Sequence, residues 1–249
     1  MIIIKNNKEI DLMREAGKLV AETLLLVEEK VRPGITTAEI DRIAEEFITK
    51  HGAKPSFKGL YGFPASLCIS VNEQVVHGIP GGYVLKDGDI ISIDCGAYLN
   101  GFHGDAARTL AVGNVSEEAK KLIKVTEESF FKGIEYAKIG NRLTDISHEI
   151  QCYVEASGFS VVRDFVGHGI GRVVHEDPEV PNFGKSGKGP KLVKGMTLAI
   201  EPMVNIGNYR VKTLSNDWTV VTSDGSLSAH YENTIVILPD GPEILTLIK

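Results

Sequence analysis

The 249-residue sequence predicts an α+β fold, one catalytic-sized domain made of two similar halves, about residues 1–112 and 113–249. Three observations predict it. Helical periodicity comes in pairs, each pair is followed by short strand signals, and this order occurs twice along the chain. Hairpin signals beside paired helices argue for antiparallel sheets with the helices on the outside, rather than a parallel βαβ sheet.

The first helix covers about residues 7–30, with Ile10, Met13, Ala16, Val20, Leu24 and Val27 on one face. Arg32-Pro33-Gly34 ends it. Thr37-Ala38-Glu39-Ile40 starts a second helix that runs to about His51-Gly52. Strand signals follow at Cys68–Val71 and Val75–Val76. After the Gly88-Asp89 turn, Ile90, Ile91 and Ile93 are the β-branched residues of a buried strand, with Asp94 near its end. Asn100-Gly101 marks a hairpin whose second arm carries Asp105 and folds it back toward Asp94. Two carboxylates that close repel unless a cation sits between them. The pair reads as a metal site or, more plainly, as a solvated hairpin with one acid capping a turn.

The second half repeats the series. Residues 116–137 look helical, and Lys138-Ile139-Gly140 takes the place of Arg32-Pro33-Gly34. A shift of 106 residues matches Gly34 to Gly140, Glu39 to Asp145, Ile40 to Ile146, Phe47 to Tyr153 and Gly52 to Gly158. Leu85-Lys86-Asp87-Gly88 parallels Leu192-Val193-Lys194-Gly195, and a shift of 107 puts Ile93-Asp94 on Ile200-Glu201. His77-Gly78-Ile79 is read as the counterpart of His168-Gly169-Ile170. This period is far longer than that of a solenoid array, so it indicates a duplicated half packed about a shared centre. Asp94 and Glu201 would then meet across a pseudo-twofold axis.

That expectation favours the metal reading. The candidate ligands are Asp94, Asp105, His168, Glu201 and Glu232, an oxygen-rich set suited to Mn, Fe, Co or Zn rather than to a thiolate-type structural zinc. Four acids around a single ion leave excess negative charge, so two divalent ions match better. Glycines flank His168 in Gly167-His168-Gly169-Ile170-Gly171 and let backbone approach closely. His77 and His175 share a Val-Val-His context near the same centre and are catalytic candidates against a plain core role. His51 and His148 belong to solvated helix faces. His103 and His230, one or two residues from site acids, either orient a ligand or are structural.

Composition bounds the rest. A net charge of −6 gives no basic excess to offset phosphate, which argues against a DNA-binding protein. Three widely spaced cysteines without a C-x-x-C pattern indicate reduced thiols rather than a disulfide framework. The N-terminal apolar run is too short for a signal peptide, and no stretch reaches the ~18 apolar residues of a membrane span. A soluble cytoplasmic protein is expected.

Several motifs together resemble one family. They are Val75-Val76-His77-Gly78-Ile79-Pro80, Ile93-Asp94 with Asp105 eleven residues later, Gly167-His168-Gly169-Ile170-Gly171, Val174-His175-Glu176-Asp177-Pro178, Ile200-Glu201-Pro202 and Glu232-Asn233-Thr234. The chain is similar over nearly its whole length to the type I methionine aminopeptidases of bacterial type, within the "pita-bread" metallopeptidases. The resemblance implies the following roles. Asp94 holds one metal, Asp105 and Glu232 bridge two, and His168 and Glu201 complete the second, the ions being Co, Mn, Fe, Zn or Ni. A hydroxide activated between them attacks the first peptide bond, with Glu201 as general base. His175 supports the oxyanion, and His77 contacts the scissile nitrogen. The substrate is the N-terminus of a nascent polypeptide, from which the initiator methionine leaves when the next residue is small. A monomer is implied, with the ribosome as candidate partner. The methionine slot falls on Leu60, Phe63, Cys68, Val174 and Trp218. Leu60 stands where a tyrosine is frequent and Val174 where a phenylalanine is frequent, so a roomier slot is expected. Asn72 and Ser228 match positions that hold a monovalent cation in relatives, although Gln74 departs at the middle of that site. Prolidases, which share the five ligands, are the alternative enzyme, and a non-catalytic binding protein of the same fold is the alternative class.

Overall fold

The computed structural model describes residues 1–248. The first half comprises helices α1 (Asn7–Glu28) and α2 (Thr37–Lys50), then strands β1 (Lys54–Pro55), β2 (Leu67–Val71), β3 (Gln74–Val76), β4 (Ile90–Leu99) and β5 (Phe102–Ala111). The second begins with α3 (Glu117–Ile134) and α4 (Leu143–Ala156), followed by β6 (Ser160–Val161), β7 (Gly167–Gly169), β8 (Glu176–Val180) and β9 (Thr197–Ile200). It ends with β10 (Met203–Asn205), β11 (Val211–Thr213), β12 (Val220–Thr222), β13 (Ser228–His230), β14 (Glu232–Leu238) and β15 (Gly241–Ile244).

One antiparallel sheet crosses both halves in the order β1-β4-β5-β14-β9-β7-β8, with β2 added on β4 and β15 on β14. Two three-stranded sheets, β13-β10-β6 and β11-β12-β3, lie beside it. The α+β class with helices outside antiparallel sheets is the class expected from the sequence. The β4–β5 turn is the tight hairpin that Asn100-Gly101 announced: both residues have positive φ (52° and 88°), and Leu99 pairs with Phe102.

The duplication extends to local geometry. α2 shifted by 106 residues is α4, end for end. Gly34 and Gly140 have φ of 93° and 96°, and Gly52 and Gly158 of 75° and 89°, left-handed values that favour glycine at these helix ends. Two isolated bridges, Thr36 with Val84 and Arg142 with Lys191, occupy equivalent places. Each half also has its own core. Leu24, Ile40, Leu85, Ile91 and Ile93 are buried in the first. Their counterparts Phe130, Ile146, Leu192, Leu198 and Ile200 are buried in the second. Burial is kept at all five positions, whether the side chain is unchanged, as at Ile40 and Ile146, or replaced, as at Leu24 and Phe130.

One sequence match fails. His168 lies within β7 and pairs with Ala199, the equivalent of Ser92. Ser92 in turn pairs with Ser70 on β2. Ser70, not His77, therefore occupies the place of His168. His77 sits beyond β3 at φ 57°, a left-handed position that is uncommon for a side-chain-bearing residue.

Candidate metal and active site

The register of the central sheet builds the site. Asp94 pairs with Ala107 across β4–β5, and Ala107 pairs with Glu232 across β5–β14. Asp105 pairs with Gly96, two positions along, so it lies diagonal to Asp94 on the same face. Asn233 pairs with Ile200, which sets Glu201 beside Glu232, and His168 follows on β7 opposite Ala199. Five side chains, four from β4, β5, β14 and β7 and one from Glu201 directly after β9, therefore meet along one line. The glycines around His168 are needed: a Cβ at Gly167 would come 2.3 Å from the Ala199 oxygen, and one at Gly169 would come 2.1 Å from the Asp177 oxygen.

The acids are held in a state that calls for cations. Burial, with the Asp94 and Glu201 charges added, pushes Asp105 well above the usual carboxylate range. Burial and the neighbouring acids do the same to Glu232, and burial with Asp94 to Glu201. Asp94 is pushed up to about 7 by burial. The buried oxygens Oδ1 of Asp94, Oδ1 of Asp105 and Oε1 of Glu232 have no hydrogen-bond partner among the described residues. Buried unpaired carboxylates are costly, and a divalent ion removes the cost. His168 Nε2 lies 3.6 Å from Glu201 Oε1 and 4.0 Å from Asp105 Oδ2. Its Nδ1 is 2.8 Å from the Gly169 carbonyl, which fixes the tautomer that leaves Nε2 free as a ligand. Burial lowers its pKa to about 4, so the ring is neutral at pH 7, as ligation requires. One atom each from Asp105, His168 and Glu232, and separately from Asp94, His230 and Glu232, lie within 4.8 Å of one another. Donor types, burial and unpaired atoms all fit divalent metal.

Asp94, Asp105, His168, Glu201 and Glu232 line a cavity of about 560 Å³, together with His77, His175, Leu60, Phe63, Cys68 and Trp218. His175 lies at the exposed mouth, its ring edge-on to His168 with centroids 4.5 Å apart. His77 packs edge-on against Phe165 at 5.6 Å, and burial lowers its pKa to about 4. On the far side, Phe63 meets Trp218 edge-to-face at 5.1 Å. Phe63, Cys68 and Val174 are buried in one apolar cluster against which Leu60 and Trp218 pack. His77, His175, Leu60, Phe63, Cys68 and Trp218 thus line one space, and Val174 packs in the apolar cluster behind it. Asn72 and Ser228 are also brought together, the Ser228 N–H donating to the Asn72 carbonyl at 2.9 Å, away from the cavity.

Sequence reasoning missed other residues. Tyr61, with φ 50°, stacks parallel to His175 at 5.9 Å and is 77% exposed at the mouth. Lys5 forms a buried ion pair with Glu176, tying the N-terminal segment to the residue after His175. Nothing local in the sequence announces that contact. His230, which the sequence left as orienting a ligand or structural, points into the acid row from the end of β13, just before Glu232 opens β14. His103 instead faces Ser56 and Tyr98, with Nδ1 2.8 Å from Ser56 Oγ, which makes it structural.

The profile of metallopeptidase family M24 matches residues 11–239. The chain is 79% identical over 249 residues to a methionine aminopeptidase of Clostridium perfringens, with both chains covered completely. It is 69% identical to a methionine aminopeptidase of Clostridium acetobutylicum, again over the full length of both. Among solved structures, a methionine aminopeptidase from Thermotoga maritima superposes with a TM-score of 0.98 at 50% identity, covering 100% of each chain.

Proposed function

The chain belongs to the methionine aminopeptidases of metallopeptidase family M24, and from that membership we propose how its own residues carry the reaction. It is a metal-dependent exopeptidase that removes the initiator methionine from nascent proteins whose second residue is small. The row of buried acids joined to His168 is the observation that carries the reading. Asp94, Asp105, His168, Glu201 and Glu232 would hold two divalent ions of the Mn, Fe, Co, Ni and Zn group. When bound, such ions polarise the peptide carbonyl and lower the pKa of water toward neutrality.

The chain's residues supply the rest. Glu201, set beside Glu232 in the acid row, accepts the proton of the attacking water. A C–O bond forms at the first carbonyl, and charge develops on its oxygen. His175, at the cavity mouth, donates a hydrogen bond to that oxygen, an interaction strongest in the transition state. His77 holds the scissile nitrogen. As the C–N bond breaks, the nitrogen takes the proton carried by Glu201 and leaves as the amine of the shortened chain. The apolar walls of Leu60, Phe63, Cys68, Val174 and Trp218 accept an unbranched thioether side chain. Tyr61 and Phe165, packed on His175 and His77, narrow the space beyond the scissile bond, which supports a small second residue.

We also propose that the two halves act as one catalytic domain, because the ligand row runs through a sheet shared by both. No helix among the described residues is long and apolar enough to cross a membrane. We further propose the cytoplasm as its location and the ribosome, where nascent chains emerge, as its candidate partner. The test is peptide hydrolysis by metal-stripped protein reloaded separately with Mn, Co, Fe, Ni and Zn. Release of methionine from Met-Ala-Ser, with Leu-Ala-Ser and Ala-Pro left intact, is expected. Cleavage of Ala-Pro would move the chain to proline-directed peptidases.

A further inference from the structure

We infer that His230 is a sixth protein ligand of the metal centre, on the Asp94 side, so that each of the two ions is held by one imidazole. The inference rests on the metal-centre reading above and adds a residue that the five-ligand pattern does not contain.

The position of the ring carries it. His230 closes β13, and its backbone is clamped to the central sheet: its N–H donates to Thr109 Oγ1 and its carbonyl lies against the same hydroxyl, both at 2.8 Å. The side chain is thereby aimed into the acid row. Its Nε2 lies 3.7 Å from Glu201 Oε2 and 3.8 Å from Glu232 Oε2. These separations are too long for hydrogen bonds. The residue is 1% exposed, and Nε2 has no partner among the described residues. An imidazole kept only for packing leaves that nitrogen desolvated at a cost that an apolar side chain avoids.

Comparison with His168 identifies what the spacing suits. His168 Nε2 stands 3.6 Å from the other oxygen of the same carboxylate, Glu201 Oε1. Glu201 therefore shows one oxygen to each imidazole at nearly equal range. Two donors each ~2.0–2.2 Å from one ion, at angles from a right angle to linear, sit about 3–4 Å apart. Both histidines meet that condition, and neither meets the condition for a hydrogen bond. They also fall in separate groups, His168 with Asp105 and Glu232, His230 with Asp94 and Glu232. Glu232 is common to both, as a bridging acid would be. A nitrogen donor on the Asp94 side moves that site from the all-oxygen class toward Fe, Co, Ni and Zn and away from Mg.

Calorimetric titration of metal-free protein with Co²⁺, and pulsed EPR of the Mn²⁺-loaded protein, test this without reference to activity. The unmodified protein is expected to bind two ions, with imidazole nitrogen coupling at both. His230→Gln is expected to weaken one of the two by more than the about 10–100-fold that loss of an outer-shell partner costs, to leave the other, and to remove one nitrogen coupling. His168→Gln should weaken the other ion instead. Should His230→Gln fail to fold, labelling the unmodified protein with ¹⁵N-histidine counts the coordinated rings directly. Two rings support the assignment and one overturns it. Weakened binding with both couplings retained would make His230 a positioning residue and overturn its role as ligand. Unchanged binding in His230→Gln overturns the inference while leaving the five-residue centre standing. A protein that binds no divalent ion overturns both.

Discussion

The two halves place equivalent acids by different routes. In the first, Asp94 and Asp105 belong to one hairpin closed by the two-residue Asn100-Gly101 turn. In the second, Glu201 and Glu232 flank a long excursion that contains β10, β11, β12 and β13 before the chain returns as β14. The excursion is not idle. β12 pairs with β3 of the first half, just before His77, and carries Trp218 at its entrance. β13 delivers His230 to the acid row. The arm between Glu201 and Glu232 supplies one wall of the slot, Trp218, and a second imidazole, His230. Metal ligands thus come from both halves, and so do the walls of the apolar slot, Leu60, Phe63 and Cys68 from the first and Val174 and Trp218 from the second.

This contrast can be broken in graded ways. Asp105→Asn removes a charge from the shared row and should reduce peptide hydrolysis to background, while circular dichroism shows the fold intact. Retained hydrolysis would break the idea that both halves are needed for one centre. His175→Ala should lower kcat by about 10²–10³-fold with KM little changed, because its contact strengthens in the transition state. A change confined to KM would move it to substrate binding. Trp218→Ala removes a wall of the inserted arm and should cost about 1–3 kcal/mol in kcat/KM for methionyl peptides, while metal affinity stays the same. Loss of metal in that variant would contradict the separation of roles. The smallest effect concerns helix starts. Thr36 caps α2 through the Glu39 N–H, whereas Arg142, at the equivalent place before α4, has no side-chain acceptor. Thr36→Ala should lower stability by about 1 kcal/mol, and Arg142→Ala by less, as read from urea unfolding.

The acid row also predicts how the metal-free protein responds to pH. Asp94 has its folded pKa raised from 3.8 to about 7, so the folded state binds more protons than the unfolded one in between. Stability of metal-free protein should therefore fall as pH rises through this window. Divalent metal should cancel the fall, since it stabilises the charged form. Unfolding midpoints at pH 5 and 7, with and without Mn²⁺, check both signs.

Much of this architecture was legible in the sequence because it is local or periodic. Helix pairs, the Asn100-Gly101 hairpin and the glycines at positive φ follow from spacing and turn chemistry. Duplication then brought distant acids together on paper. What stayed hidden depends on register and on contacts between remote segments. Pairing His77 with His168 by their shared His-Gly-Ile letters failed because strand register, not motif, decides equivalence, and register gives Ser70. The Lys5–Glu176 ion pair joins residues far apart in sequence and left no local trace. His230 stayed open between orienting a ligand and a structural role because its direction depends on how β13 is clamped by Thr109.

The most direct test of the account is a count of divalent ions bound by metal-stripped protein, repeated for Asp94→Asn and His168→Gln. The account predicts two ions per chain, with Asp94→Asn weakening one ion and His168→Gln the other. A single ion, or both substitutions weakening the same one, would contradict a centre assembled jointly from the two halves.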